Sequence, residues 1–254
     1  MRTVIITGGT SGIGLNLANF FYKKKFNIAI VGLAKKNEIK NLKKKFNIGK
    51  SLILNLDLIK NSNIKKTVKY THKKFGKVDI LINCAGLQHV APICKFSDKI
   101  WDYIINLNLS TPFKMIKEVL PIMRKNKWGR IINISSVHGT IASQFKAGYV
   151  SSKHGLVGLT KVVALETARE NITCNAIGPG FVDTELVQKQ IKDISKKKGI
   201  SLKKSSDDLL REKHPSMNFI KKDDVSSLAY YLTTNEADQI TGSNIIIDGG
   251  WTAQ

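Results

Sequence analysis

The sequence predicts an α/β protein built on a doubly wound, mainly parallel seven-stranded sheet with helices on both faces. Three observations carry that prediction. Short apolar runs of four to seven residues recur seven times, separated by longer stretches of helical period. The runs are apolar nearly throughout, as strands buried on both faces are, whereas a strand with one wet face would alternate. The first run leads straight into glycines spaced Gly8-x-x-x-Gly12-x-Gly14, a turn that opens a helix and lets backbone N–H groups approach an anionic group.

Taken in order, the elements place polar residues where such a sheet binds ligands, at the carboxyl ends of its strands. Val4 to Thr7 form the first strand, and Gly8 follows it. Ile28 to Val31 form the second, which ends Gly32-Leu33-Ala34-Lys35-Lys36. No acidic residue stands there to take a ribose 2'-hydroxyl, and the two lysines suit a 2'-phosphate. Leu52 to Leu56 lead to Asp57, a carboxylate suited either to an adenine amino group or to capping the next helix. The fourth strand, Ile80 to Asn83, ends on an amide. Asn108 then falls inside a long helical stretch, where an amide has little intrinsic reason to sit and, if buried, needs partners. Ser136 follows the fifth strand, Ile131 to Ser135, and Pro179 follows the sixth, Thr173 to Ile177. Asn244 to Ile247 form the seventh. Between the last two strands, a Lys-rich helical excursion over about 183–215 is expected to form a lid, its alternative being a helical pair without a role. Residues 1–254 read as a single dinucleotide-binding catalytic domain that carries this excursion as an insertion.

Composition narrows the class. Apolar residues make up 42% and charged residues 24% of the chain, a globular balance, and no run of about 20 apolar residues is long enough to span a bilayer. The N-terminus lacks the apolar region of a signal peptide, and Cys84, Cys94 and Cys174 show neither a disulfide framework nor zinc-ligand spacing. A cytoplasmic protein without a metal is expected. The net charge of +22 would attract polyanions, yet the lysines are dispersed in small groups over many helical stretches. Only five of the 41 basic residues are Arg, the residue favoured for bidentate base and phosphate recognition. Neither nucleic acid nor a membrane is expected as a partner.

The chemistry concentrates in Tyr149-Val150-Ser151-Ser152-Lys153. On a helix the phenol and the ammonium, four residues apart, share a face and can enter one pocket. A nearby cation favours phenolate, which suits Tyr149 to acid/base work near neutral pH. With the glycine loop, and with Ser136 thirteen residues upstream, the set points to a nicotinamide-dependent oxidoreductase.

Across essentially its whole length the chain resembles the short-chain dehydrogenase/reductase family, whose fold is Rossmann-like. The resemblance is carried by long stretches: residues 85–93 (Ala85-Gly86-Leu87-Gln88-His89 onward), Trp128 to Ile134, Gly158 to Thr167, and Asp248-Gly249-Gly250-Trp251-Thr252-Ala253-Gln254. Within the family these stretches are similar to those of enzymes that oxidise D-3-hydroxybutyrate to acetoacetate with NAD. The resemblance implies a catalytic tetrad of Asn108, Ser136, Tyr149 and Lys153, with a water held at Asn108 relaying protons from Lys153. It implies a dinucleotide held by Gly8, Thr10, Ser11, Gly12, Ile13 and Gly14, by Leu33, Asp57 and Leu58, and by Asn83, Ala85 and Gly86. Pro179, Gly180, Val182 and Thr184, together with Tyr149 and Lys153, complete that set. The small hydroxy acid is expected to meet Gln88, His138, Lys146, Phe181 and Gln190 besides Ser136 and Tyr149. A homotetramer is implied, with Trp251 to Gln254 at an interface.

Three departures stand out. Cys84 replaces the second Asn of the family's Asn-Asn-Ala-Gly stretch. Phe181 stands where the resembling enzymes tend to carry Trp. The strand end at Lys35 and Lys36 suits NADP, whereas the resemblance implies NAD. The alternatives are an NADP-dependent 3-oxoacyl-thioester reductase of the same family, or a non-catalytic protein that binds dinucleotide or nucleic acid.

Overall fold

A computed structural model describes residues 1–253; Gln254, part of the expected interface segment, lies outside the described residues. Seven parallel strands lie in the order β3-β2-β1-β4-β5-β6-β7. They are β1 (Thr3–Thr7), β2 (Asn27–Gly32), β3 (Ser51–Asn55), β4 (Ile80–Asn83), β5 (Gly129–Ile134), β6 (Ile172–Pro179) and β7 (Asn244–Ile247). Each expected strand is present, with ends displaced by up to two residues.

The pleat sends neighbouring side chains to opposite faces. Val4 and Ile6 of β1 join Leu17 and Phe21 of α1 (Gly12–Lys23) and Val225 and Ala229 of α9 (Lys222–Tyr231), on the face that also takes α2 (Lys36–Lys45). Ile5 faces the other way, toward Ile64 and Val68 of α3 (Asn61–Phe75), Met115 and Val119 of α5 (Thr111–Lys125) and Val163 of α6 (Ala147–Thr167). Two apolar layers therefore cover a sheet that is dry on both sides.

From β1 the order runs to β2 and β3 on one side and to β4 and beyond on the other, and this reversal opens a crevice above β1 and β4. There the chain comes so close to itself that two glycines are obligatory. A Cβ on Gly8, whose φ is +65°, would lie 2.8 Å from Ala85 Cα, and one on Gly14 would lie 2.2 Å from the Gly8 carbonyl oxygen.

The stretch around Asn108 is not a plain α-helix. Between α4 (Asp98–Ile105) and α5 the helix widens into a π-turn over Asn106–Ser110, a local irregularity that recurs at functional sites. The excursion after β6 is a pair of packed helices, α7 (Glu185–Lys198) and α8 (Leu202–Lys213). Thr184 caps α7 and Ser201 caps α8, each accepting the backbone N–H of the third residue of its helix, and Gly199 ends α7 in the left-handed conformation. The base of the excursion is clasped: Ile220 N–H donates to the Phe181 carbonyl and Asp183 N–H donates to the Ile220 carbonyl, both at 2.9 Å.

Candidate active site

One continuous cleft runs along the carboxyl ends of the strands, from the glycine turn to the underside of α7. Its first half is built from backbone. Ser11 precedes α1 without a side-chain cap bond, so the first N–H groups of that helix stay available to an anion. Thr10 ties the turn to the end of β2, its hydroxyl donating to the Leu33 carbonyl at 3.1 Å. Asn55 clamps the same loop by pairing with both the N–H and the carbonyl of Ala34 at 3.1 Å. Leu33, 62% exposed, is what this loop presents to the cleft, while Lys35 and Lys36 face solvent outside it. Asp57 and Leu58 line the wall just beyond β3, where Asp57 Oδ1 accepts the Ile59 N–H and makes a local turn.

Of the residues implied for the dinucleotide, all but Asn83 line the cleft. The Asn83 side chain turns into the sheet instead and donates to Asn133 Oδ1 at 2.9 Å, a buried amide pair between β4 and β5. Cys84 does line the cleft. Its backbone N–H is held by the Thr7 hydroxyl, but burial pushes its thiol up to about 12, so it stays protonated and unreactive.

The second half of the cleft carries titratable groups. Tyr149 and Lys153 rise from one face of α6, with Lys153 Nζ 5.6 Å from the phenol ring centroid. The buried ammonium donates to the carbonyl of Ile134, the last residue of β5, at 2.7 Å. Burial lowers its pKa to about 8. Burial also raises the pKa of Tyr149, with the Ser136 hydroxyl pulling it back down. This corrects the expectation of a lowered phenol: desolvation of the phenolate, opposed by the Ser136 hydroxyl, sets the direction. Ser136 faces the cleft beside His138, whose Nδ1 is 3.3 Å from its hydroxyl, while Ser135 is spent on the Lys153 carbonyl.

Asn108 does not line the cleft. Its amide oxygen accepts the Leu87 N–H at 2.9 Å, and its nitrogen donates to the Leu87 carbonyl at 2.9 Å and to the Ser152 hydroxyl at 3.1 Å. Both amide donors and one acceptor site thereby go to fixing Leu87 against Ser152 of α6. Gly86 lies between it and the lysine, within 3.4 Å of Asn108 Oδ1 and 3.7 Å of Lys153 Nζ measured from an added Cβ.

Gln88, His138, Lys146, Phe181 and Gln190, the residues expected to meet the acid, line the same cleft. His138 is buried, with Nε2 2.8 Å from the Ser143 hydroxyl, and burial together with Lys146 and Lys213 pushes its pKa down to about 4. It is a neutral imidazole over the physiological range. Lys146 is likewise lowered, by burial and then by Lys213. Among the described residues neither glutamine amide takes a protein hydrogen bond.

Two participants escaped the sequence reading. Trp251, expected at an interface, is buried in its own chain against His138 and Phe181, with centroids 5.5 and 5.1 Å away. Lys213, at the end of α8, sits over the Trp251 ring at 5.7 Å and adds positive charge to the same end of the cleft. Trp251 stands in a stretch already singled out, but only the fold brings it and Lys213 to this end of the cleft.

Comparisons agree with this geometry. The family model for short chain dehydrogenase matches residues 2–195. A D-beta-hydroxybutyrate dehydrogenase of Rhizobium meliloti (strain 1021) is 43% identical, covering 100% of this chain and 99% of that protein. Among solved structures, a 4-hydroxyisoleucine dehydrogenase complexed with NADH is 31% identical with a TM-score of 0.82, covering 100% of both chains. A variant actinorhodin polyketide ketoreductase with NADPH is 27% identical with a TM-score of 0.91, covering 100% of this chain and 98% of that one.

Proposed function

The chain belongs to the short chain dehydrogenase family, and from that membership we propose that it reversibly oxidises D-3-hydroxybutyrate to acetoacetate, with NAD as the hydride acceptor. The observation that carries this reading is a polar, cationic end to the cleft, made by Lys146, Gln88 and Gln190, beside the Tyr149, Ser136 and Lys153 cluster. A short hydroxy acid has little apolar surface, so its carboxylate must supply most of the recognition. Lys146 supplies charge, and the two unpaired amides supply N–H donors.

The glycine turn, with room for no side chain at Gly8 or Gly14, fits a pyrophosphate, and the free N–H groups of α1 point to its charge. A nicotinamide dinucleotide bound there supplies the acceptor for the C3 hydride. Tyr149, as phenolate, takes the hydroxyl proton. Ser136 holds the reacting oxygen, and Lys153 offsets the phenolate charge from its seat on the Ile134 carbonyl. Asn108 acts at one remove, holding Leu87 and with it Gln88.

The preference for NAD is supported by Leu33, which offers an adenosine ribose an apolar rim, while both nearby lysines lie outside the cleft. An acyl-thioester substrate carries no carboxylate at this position and would leave Lys146 without a counter-charge. A homotetramer is supported by exposed apolar side chains on adjoining helices, Phe113 on α5 and Val162 and Leu165 on α6. Among the described residues no helix is long and apolar enough to cross a membrane, in keeping with a cytoplasmic enzyme.

The test is absorbance of reduced nicotinamide with purified protein, D- or L-3-hydroxybutyrate, and NAD or NADP. Turnover with the D acid and NAD, lost in Tyr149→Phe while dinucleotide binding persists, is the expected result. Turnover only of a 3-hydroxyacyl thioester with NADP would replace the assignment.

A further inference from the structure

We propose that His214 is a positioning residue that fixes the substrate wall through Phe181 and Trp251, and so limits the length of acid the pocket accepts. His214 follows α8 and has no exposed surface. Its ring lies nearly parallel to that of Phe181, with centroids 5.5 Å apart and planes 18° from one another. Nε2 is 2.9 Å from the Phe181 backbone nitrogen and can only accept that N–H, so the ring proton sits on Nδ1 and is donated to the Asn218 carbonyl at 3.1 Å. Both nitrogens are thereby spent, and the ring has one orientation.

The surroundings are shaped to this imidazole. A Cβ on Gly180 would come within 2.5 Å of Nε2, and one on Gly249 within 3.2 Å of Nδ1. The backbones that follow β6 and β7 therefore close on the ring from two sides. Trp251 packs against both aromatic neighbours, 5.1 Å from Phe181 and 5.7 Å from His214. Phe181 and Trp251 line the cleft and His214 does not. A phenyl ring alone is free to turn about its side-chain torsions; stacked on an immobile imidazole, it becomes a wall of fixed depth. The array continues to the reacting centre, since the His138 ring lies edge-on to both Trp251 and Tyr149.

The proposal rests on the reading of the pocket as a hydroxy-acid site, and its test separates the two. In His214→Gln the amide can still accept the Phe181 N–H and donate to the Asn218 carbonyl, but the stacked ring is gone. Expected is a melting temperature and dinucleotide affinity close to wild type, with the kcat/KM preference for D-3-hydroxybutyrate over D-3-hydroxypentanoate falling about 10-fold, mostly through KM. Phe181→Leu leaves both imidazole bonds in place and should give the same loss, and the double variant should lose no more than the larger single. A preserved preference in His214→Gln overturns the proposal. If that variant does not fold, a preserved preference in Phe181→Leu does so instead. Calorimetric binding of butyrate and pentanoate to the dinucleotide-loaded protein gives the same length ratio without turnover, so an inactive wild type and an unaffected wall are separate results.

Discussion

Burial holds the Tyr149 phenol above its ordinary pKa, and this sets how the reaction depends on pH. Oxidation needs the phenolate, which forms only on the alkaline side, so kcat/KM for the hydroxy acid should climb as pH rises through the neutral range and beyond. Reduction of acetoacetate, which needs the phenol, should instead be sustained toward lower pH. Lys153→Met removes the nearest cation and should move the alkaline limb higher while slowing oxidation by about 10²–10⁴. Paired pH–rate profiles read both effects. His138 carries the opposite kind of shift. Its folded pKa of about 4 lies below the value near 6.5 expected when unfolded, so the unfolded chain binds more protons between those two values. Stability should therefore fall as pH drops from about 6.5 to 4, by up to about 3 kcal/mol, and His138→Gln should flatten that stretch of a denaturant-melt series. At this scale the sequence shows the tyrosine, lysine and serine plainly, because their spacing follows from helix and strand ends. It does not show which way burial moves their protons, since desolvation depends on neighbours from β5, α8 and the residues beyond β7.

The π-turn and the helical pair are the two elements that depart from a regular sheet and helix pattern, and both bear on the cleft. Asn108 sits in the widened turn, and its amide completes a two-way pairing with Leu87. Asn108→Leu should strand that backbone N–H and carbonyl and cost about 1–3 kcal/mol in denaturant melts, with a rise in KM as Gln88 loses its support. A mutant of unchanged stability would mean that the pairing has no energetic weight. The sequence marks Asn108 as unusual in a helix but cannot reveal the extra residue in the turn, because a π-turn has no periodic signature of its own. The excursion after β6 is different: its helical character is legible from its Lys-rich composition, while its relation to the cleft depends on the clasp at Ile220. Because Gln190 hangs from α7 into the cleft, Gln190→Ala should raise KM for the acid severalfold and leave dinucleotide affinity as it was. An unchanged KM would argue that α7 and α8 only decorate the fold.

Over the whole molecule, the alternation of apolar runs was enough to give seven strands and their parallel sense, because strands buried on both faces leave an unmistakable composition. The order of the strands is not legible in any single run, because it is set by how the crossovers pack on the sheet. Charge is also a property of this scale. The excess of +22 is distributed over many faces, so it should act as a diffuse field on an anionic substrate. Raising sodium chloride should increase KM for the acid while kcat changes little, because screening weakens capture but not the buried geometry. A salt-independent KM would confine recognition to the buried end of the cleft.

The sheet order has one more implication, for the way the polypeptide is born. A chain emerging from the ribosome releases β1 first, and β2 and then β3 can be laid down outward on one flank. The other flank grows the same way, with β4, β5, β6 and β7 each arriving beside a neighbour that is already out. No strand has to be threaded between two earlier ones, since β4 joins β1 at its open edge. The glycine turn near residue 8 can thus take shape early, while the wall at Trp251 waits until almost everything else has appeared. In the order of synthesis, the turn that suits a pyrophosphate is laid down first and the wall that bounds the far end of the cleft last.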